Sequence, residues 1–452
     1  MNATERLLIL GTSATYQADE RAEAARLVQQ GVDWGLLHDL AEENATAPLV
    51  WKNLLALDLA AGVPPPLRAR FDERAQAIRS ANAARLERAR ELFAQFGRRR
   101  IPVVILKGVL FAETIYRDPF YKKMNDVDIL VRRKDLDAIY DIYEDLRYFS
   151  AAELVGGSPR KQEKFSHHAP PFFRRDLKLM VGTHWGLITP LAPYTLDYDA
   201  IWSRVVDIDF YGHPAKAMAP EDNLHHLCVH LPYYKCGLRE LADIYNLLRH
   251  HPIDWELFAT EMGKAKTENL VYHALSLVQA VWPMPAVQAA IDRARPKTSY
   301  YFRRDAARKC ASLPRLLRGR STHMSTIEKA YSDLNTTGDP WAKWSAYGRM
   351  WRGMLFPPRR DVLKMNALAD ADGVRLALAR LQVPWRVYRV FARDVGGAIF
   401  FAILAKCAYE CLRATVTAPL AGRDRRDQTF ETFARDLGLS VAQLEQLKNA
   451  LE

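Results

Sequence analysis

Apolar residues recur at three- and four-residue steps through the first part of the chain. In WGLLHDLAEENATAPLVWKNLLAL, which follows Val32-Asp33, this spacing predicts helices. Pro64-Pro65-Pro66 breaks the pattern. LRARFDERAQAIRSANAARLERARELFAQF then predicts one long amphipathic helix reaching Gly97, of a length that suits a brace for another domain. The period changes after that. Ile101–Leu106 is a short β-branched run bounded by Pro102 and Gly108, and predicts a buried strand. VLFAETIY predicts a helix turning back, and Asp126–Val131 (DVDILV) a second strand alternating acid and apolar. KDLDAIYDIYEDLRY predicts a helix ending near Tyr148. Beyond a loop containing Gly156, Gly157 and Pro159, FFRRDLKLMVGTHWGL predicts a hairpin or one long strand.

From Pro220 the helical period returns. Proline followed by Glu221 and Asp222 is a favourable helix opening, because the first turn tolerates a missing N–H and attracts negative charge. The predicted class is α+β, a small mixed β-sheet flanked by an N-terminal and a large C-terminal helical region. The expected divisions are a helical brace at 1–97, the sheet-bearing core at 98–215, a helical domain packed on that core at 216–290, and a C-terminal helical region at 291–452.

Charge and composition narrow the classes. The net charge is +11, with an isoelectric point near 9.3. Such a balance suits phosphate-rich ligands, nucleic acid or an anionic membrane surface, and equally a solvated basic face. Cys228, Cys236, Cys310, Cys407 and Cys411 contain no CxxC pair, which argues against a disulfide framework or a zinc site and favours a reducing cytoplasm. The opening MNATERLLIL has no cationic start and does not read as a signal peptide. The apolar run Val395–Ala405 is closed by Lys406. It falls short of the roughly 20 residues a bilayer span needs, and reads as a core or interfacial segment.

One constellation carries chemistry. Asp126 and Asp128 are two apart on a predicted strand, so both point to one face. Converging carboxylates can share divalent cations, although a DxD pair alone is more often a solvated strand end. Lys107-Gly108 closes one strand and opens a helix, a place where backbone amides and a point charge can meet phosphate. Lys122 and Lys123 flank the acids. Lys107, Gly108, Lys123 and Asn125 form the candidate nucleotide-binding set.

VVILKGVLFAETIYRDPFYKKMNDVDILV resembles the signature of the uncharacterised nucleotidyltransferases, a bacterial family of the polymerase-beta superfamily. The likeness continues through HHAPP at His167–Pro171, THW at Thr183–Trp185, APEDNLHHLCVH at Ala219–His230 and LRELADIYNLL at Leu238–Leu248. It covers about residues 5–265. The resemblance implies a nucleotidyltransferase core and transfer of a nucleoside monophosphate from a nucleoside triphosphate, with Mg2+ or Mn2+. The acceptor is unidentified: a small molecule, peptide or protein. In that reading Asp126 and Asp128 bind metal, and Lys107 and Gly108 hold the triphosphate. One position departs from the pattern. Where members carry a third carboxylate, two residues before the histidine of the HW pair, this chain has Gly182. Met180, Gly182 and His184 share a strand face, and Asp176 lies roughly 20 Å along the strand, too far to substitute. His184 is then the candidate base or ligand. A nucleotide-binding protein without turnover is one alternative, and a nucleic-acid-modifying enzyme is the other.

Other features have bland readings beside the sharp ones. His167-His168 suit substrate contact or a structural loop edge. His226 and His230 have metal-capable spacing but favour helix packing, with Asp243 as a partner. Between Arg293 and Arg320 basic residues interleave with Tyr300, Tyr301 and Phe302. That suits nucleic acid, or more simply a solvated helix face. Arg386, Arg389 and Arg393 precede the apolar run, a pattern compatible with peripheral membrane contact and more simply with a docked helix.

Overall fold

The computed structural model describes residues 1–120, 124, 126–153, 158–163, 166–188, 194–231, 237–298, 300–311, 313–317, 340–357, 359, 362, 363, 366, 368, 371–394 and 397–417. They belong to two compact units. The first comprises Met1–Arg147, Asp176–Ile188 and Tyr194–His323, and the second Tyr148–Arg175, Thr189–Pro193 and Met324–Glu452.

In the first unit, short helices lead into the 34-residue helix Pro65–Arg98. Two prolines occupy its first turn, where helix N–H groups lack intrahelical partners. Its interior is rich in Ala, Arg, Leu and Glu, all good helix formers. Phe71, Ile78, Asn82, Ala89, Phe93 and Phe96 recur on one buried face. Trp51 stacks on Phe71 with centroids 5.1 Å apart, and Phe93 meets Phe210 at 4.6 Å, so the helix is anchored towards both ends.

The strands are β1 (Val104–Ile105), β2 (Val127–Leu130), β3 (Tyr148–Ser150), β4 (Phe172–Arg174), β5 (Met180–His184), β6 (Val206–Phe210) and β7 (His213–Ala217). FFRRDLKLMVGTHWGL therefore holds two strands with a turn at 175–179, not one long strand. Within the first unit the order is β5-β2-β1-β7-β6. β2–β5 and β1–β7 are parallel, while β1–β2 and β6–β7 are antiparallel, which makes the sheet mixed. β6 and β7 are joined by Tyr211-Gly212, both at positive φ (50° and 89°), the conformation of a two-residue hairpin turn that matches strand twist.

Helices Pro220–His230, Leu238–His250, Trp255–Ala265 and Glu268–Val281 complete this unit's core. Asn246 ties it to the N-terminal helices. Its side chain donates to Thr12 O (3.0 Å) and Ala242 O (2.8 Å) and accepts from Ala14 N (2.7 Å), all fully buried on its side. Asn246→Ala leaves these groups without partners, and is expected to lower unfolding free energy by about 2–4 kcal/mol. Denaturant midpoints of the two proteins measure this; an unchanged midpoint would contradict it.

His225 sits in the same packing, its Nε2 2.6 Å from Thr267 Oγ1. Burial pushes its pKa down to about 4. The unfolded chain thus binds a proton that the folded chain refuses. The stability is complete above about pH 6.5 and declines as pH falls towards 4, by about 3 kcal/mol in all. Chemical denaturation at a series of pH values should show this slope, flattened in His225→Gln.

In the second unit β3 and β4 pair antiparallel, with Phe149 and Phe173 stacked at 5.7 Å. Its long helices are Pro340–Leu355, Gly373–Leu381, Val383–Asp394 and Gly397–Thr417. Val362, Ala379 and Val383 form a small core with Leu376 and Val387 against it. Among the described residues, no helix is long and apolar enough to cross a membrane.

Candidate active site

Strand register builds the site. Val104 and Ile105 pair with Leu130 and Ile129, and Leu106 N donates to Asp128 O (2.9 Å). The residue after β1 is thereby brought beside Asp128. That residue, Lys107, opens the helix Lys107–Thr114 with φ at 51°, in the left-handed region. A residue with a Cβ adopts this at a cost of roughly 1–2 kcal/mol, so the surroundings hold it there. Lys107 Nζ lies 3.4 Å from Asp128 Oδ2 and 2.9 Å from His230 Nε2. Gly108 is the second residue of the helix, where backbone amides carry partial positive charge.

β2 buries Val127 and Ile129, which leaves Asp126 and Asp128 on the other side. β5 runs parallel to it with Asp128 opposite Gly182 and Leu130 opposite His184. Val181 and Thr183 are buried on the opposite face, and Thr183 Oγ1 meets Tyr143 OH at 2.6 Å, which fixes the strand's rotation. Met180, Gly182 and His184 therefore share the acids' side. His184 Nε2 is 3.2 Å from Asp128 Oδ1. A Cβ added to Gly182 would overlap Asp128 Oδ1 and come within 3.2 Å of His184 Nε2. The Asp128 carboxylate thus lies over the glycine, in the space a side chain at 182 would need.

The two acids differ electrostatically. Burial, then the charge of Asp128, raises the Asp126 pKa, against the pull of Lys107 and Arg239. Burial works against the Asp128 charge too, but Lys107 and the His184 hydrogen bond outweigh it and hold Asp128 well below the usual carboxylate range. The pair thus carries less than its full negative charge unless further positive charge arrives.

Two helices contribute groups that motif reading missed. Asn82, fully buried on the long helix, accepts from Met124 N (3.1 Å) and donates to Pro119 O (2.8 Å), pinning the segment that leads to the acids. Arg85, one turn on along the same face, is half-buried and feels the charge of Asp126. Its Nη1 is enclosed and has no hydrogen-bond partner among the described residues. On helix Pro220–His230, His226 is enclosed too. Burial, reinforced by the charge of Lys107, pushes its pKa well below the usual histidine value. Its ring stands 5.2 Å from that of His230. The available sequence signal was a polar pair, Asn82 and Arg85, interrupting an otherwise apolar face.

The remaining candidates are dispersed. Lys122, Lys123 and Asn125 lie outside the described residues. Asp176 pairs with Arg88 (2.9 Å) in the turn before β5. Asp243 accepts from Tyr116 OH (3.1 Å). His167 and His168 belong to the second unit. Arg293 forms two bonds to Glu256, and Phe302 is buried near His273. The side chains of Tyr300 and Tyr301, and residues 318–320, lie outside the described residues. A cavity of about 140 Å³ is lined by Asp222, His225, Glu261 and Lys264 and contains neither Asp126 nor Asp128. Arg204 grips Asp222 through two bonds and Lys264 pairs with Glu261, so its charges are already matched. The converging acids, not this cavity, are the candidate site.

Residues 30–283, more than half of the chain, match the family model described as uncharacterised nucleotidyltransferase. The chain belongs to this nucleotidyltransferase family. No curated protein and no solved structure matches it. The family match takes in Lys107, Asp126 and Asp128, the Gly182 strand and the histidine helix. This nucleotidyltransferase family's region ends before the helices that begin at Pro340.

Proposed function

We propose that this nucleotidyltransferase moves a nucleoside monophosphate from a nucleoside triphosphate to a nucleophile on a small molecule, peptide or protein. One observation carries the reading: Lys107, the first turn of its helix at Gly108, and Asp126 and Asp128 meet at one place, with a left-handed backbone at the lysine. A bare strand-end DxD needs none of this.

The donor set fits a hard divalent cation. Two partly buried carboxylates that resist full ionisation together, with an imidazole alongside, call for added positive charge. Asp126 and Asp128 would hold Mg2+ or Mn2+, which when bound would neutralise charge on the phosphates. Lys107 and the amides at Gly108 bind the triphosphate. His184 accepts the proton of the attacking group, in place of the carboxylate that position 182 lacks. The nucleophile bonds to the α-phosphorus as the bond to the bridging oxygen breaks, and pyrophosphate leaves. Pyrophosphate release with each triphosphate and fractionated cell extract tests this. Release that survives loss of both acids would rule it out.

Arg85 belongs to the same reading as a triphosphate contact, since its enclosed Nη1 has no hydrogen-bond partner among the described residues and its guanidinium feels the charge of Asp126. Arg85→Ala is expected to raise KM for the nucleotide by roughly 10- to 100-fold, with kcat less affected. Steady-state kinetics decide it. A rise in KM for the acceptor alone would place Arg85 elsewhere.

A second reading, nucleotide binding without turnover, is favoured by Gly182. Metal-dependent nucleotide binding by calorimetry, with no product under any acceptor condition, would support it.

A further inference from the structure

We infer that the second unit carries an in-plane binding face for an anionic lipid surface, built on the helices Gly373–Leu381 and Val383–Asp394. The two are nearly continuous. Gln382 between them keeps right-handed helical angles (φ −82°, ψ −15°), and Arg386 N donates to Gln382 O at 3.0 Å. Successive residues therefore advance by about 100° around one axis. Leu376, Ala379, Val383 and Val387 fall together on one side, and this is the side packed in the small core with Val362. Val374, Leu378, Leu381 and Trp385 fall within about 60° of one another on the opposite side. They are 77%, 56%, 77% and 60% exposed. A helix that only docked on its own unit would be polar there. This one has two apolar faces, and one of them is open.

Charge selects the occupant. Arg375, Arg386 and Arg389 lie along one flank of the open stripe, about 60–120° from its first residue. From Gly373 to Arg393 the sequence contains no Asp or Glu. Apolar side chains with a tryptophan, flanked by arginines that can reach headgroups, make up the chemistry of a helix lying at the bilayer interface. The absence of acids disfavours a second copy, which would bring like charges together, and the net charge of +11 adds long-range attraction to anionic headgroups. The helices are too short and charged to cross the bilayer, in keeping with a surface contact. This inference is independent of the nucleotide site.

The test is flotation of the full chain with vesicles of phosphatidylcholine alone and of phosphatidylcholine with phosphatidylglycerol. The chain should float with the anionic vesicles and not with the neutral ones. Leu381→Asp/Trp385→Asp and, separately, Arg386→Gln/Arg389→Gln should each weaken binding by roughly tenfold or more. These positions border solvent, so melting by circular dichroism should be unchanged. Leu381→Gln serves as a milder variant should the first misfold. The inference is overturned if the chain stays in solution with both vesicles, or if the variants float as well as the parent. It is overturned equally if the stripe variants abolish self-association in light scattering while flotation is absent, which would assign the face to a second copy.

Discussion

Asp128→Asn is expected to lower nucleotide turnover by about a thousandfold or more while leaving the fold in place. The substitution changes almost no volume. It removes the one carboxylate that two side chains converge on, Lys107 Nζ at 3.4 Å and His184 Nε2 at 3.2 Å, and that fills the space over Gly182. Lys107 would lose the counter-charge beside it, and His184 would lose the anion that orients its ring. Asp126, relieved of a like charge, would ionise more readily, but one acid alone cannot share a cation as two can. Initial rates of pyrophosphate release, with a thermal melt alongside, separate chemistry from folding. A variant retaining a tenth of the parent rate would remove Asp128 from the reaction.

The second large effect is expected at Gly182. An alanine Cβ there would overlap the Asp128 carboxylate, so something must move. What it meets is the end of a side chain, not backbone, so the cost to stability should be small. The cost to function should be large, because the acid is turned away from Lys107 and His184. Turnover in Gly182→Ala is expected to fall roughly a hundredfold, with a melting temperature close to the parent's. Gly182→Glu separates two histories of the position. It would enhance turnover if the glycine is a lesion in an otherwise intact site. It would fall as alanine does if Asp128 and His184 have taken over the role. The packing favours the fall, since Asp128 already occupies the space. Unchanged turnover in Gly182→Ala would mean that the carboxylate is not held over the glycine when the enzyme works.

Much of this site was legible because strand chemistry is periodic. DVDILV fixed which residues face together, and VGTH fixed Gly182 and His184 on one side. Lys107-Gly108 declared a strand-to-helix transition that the structure contains. The β6–β7 hairpin passed unnoticed although VDIDFYGHPAKA alternates and turns at Tyr-Gly. β6 is largely exposed and β7 carries Pro214 and Lys216 between its alanines, so the usual apolar signal is faint. β3 follows directly on the helix predicted to end near Tyr148, and at three residues it is too short to show a period of its own. Arg85 could not be read as a site residue from its own neighbourhood. It lies in a helix full of arginines, and only the fold brings it near an acid distant in sequence. The pairing of Lys107 with His230 is likewise a product of tertiary packing, and no local pattern encodes it.

Transfer of the α-phosphoryl group through Asp126 and Asp128 is measured most directly with one triphosphate labelled at two positions. Incubated with Mg2+ or Mn2+ and extract, label at the α-phosphate should move onto an acceptor. Label at the γ-phosphate should leave as pyrophosphate, and both should vanish in Asp126→Asn/Asp128→Asn. Label from the γ-position appearing on the acceptor would contradict the account by showing a kinase-type reaction. Transfer that persists in the double variant would contradict it by placing the chemistry elsewhere in the chain.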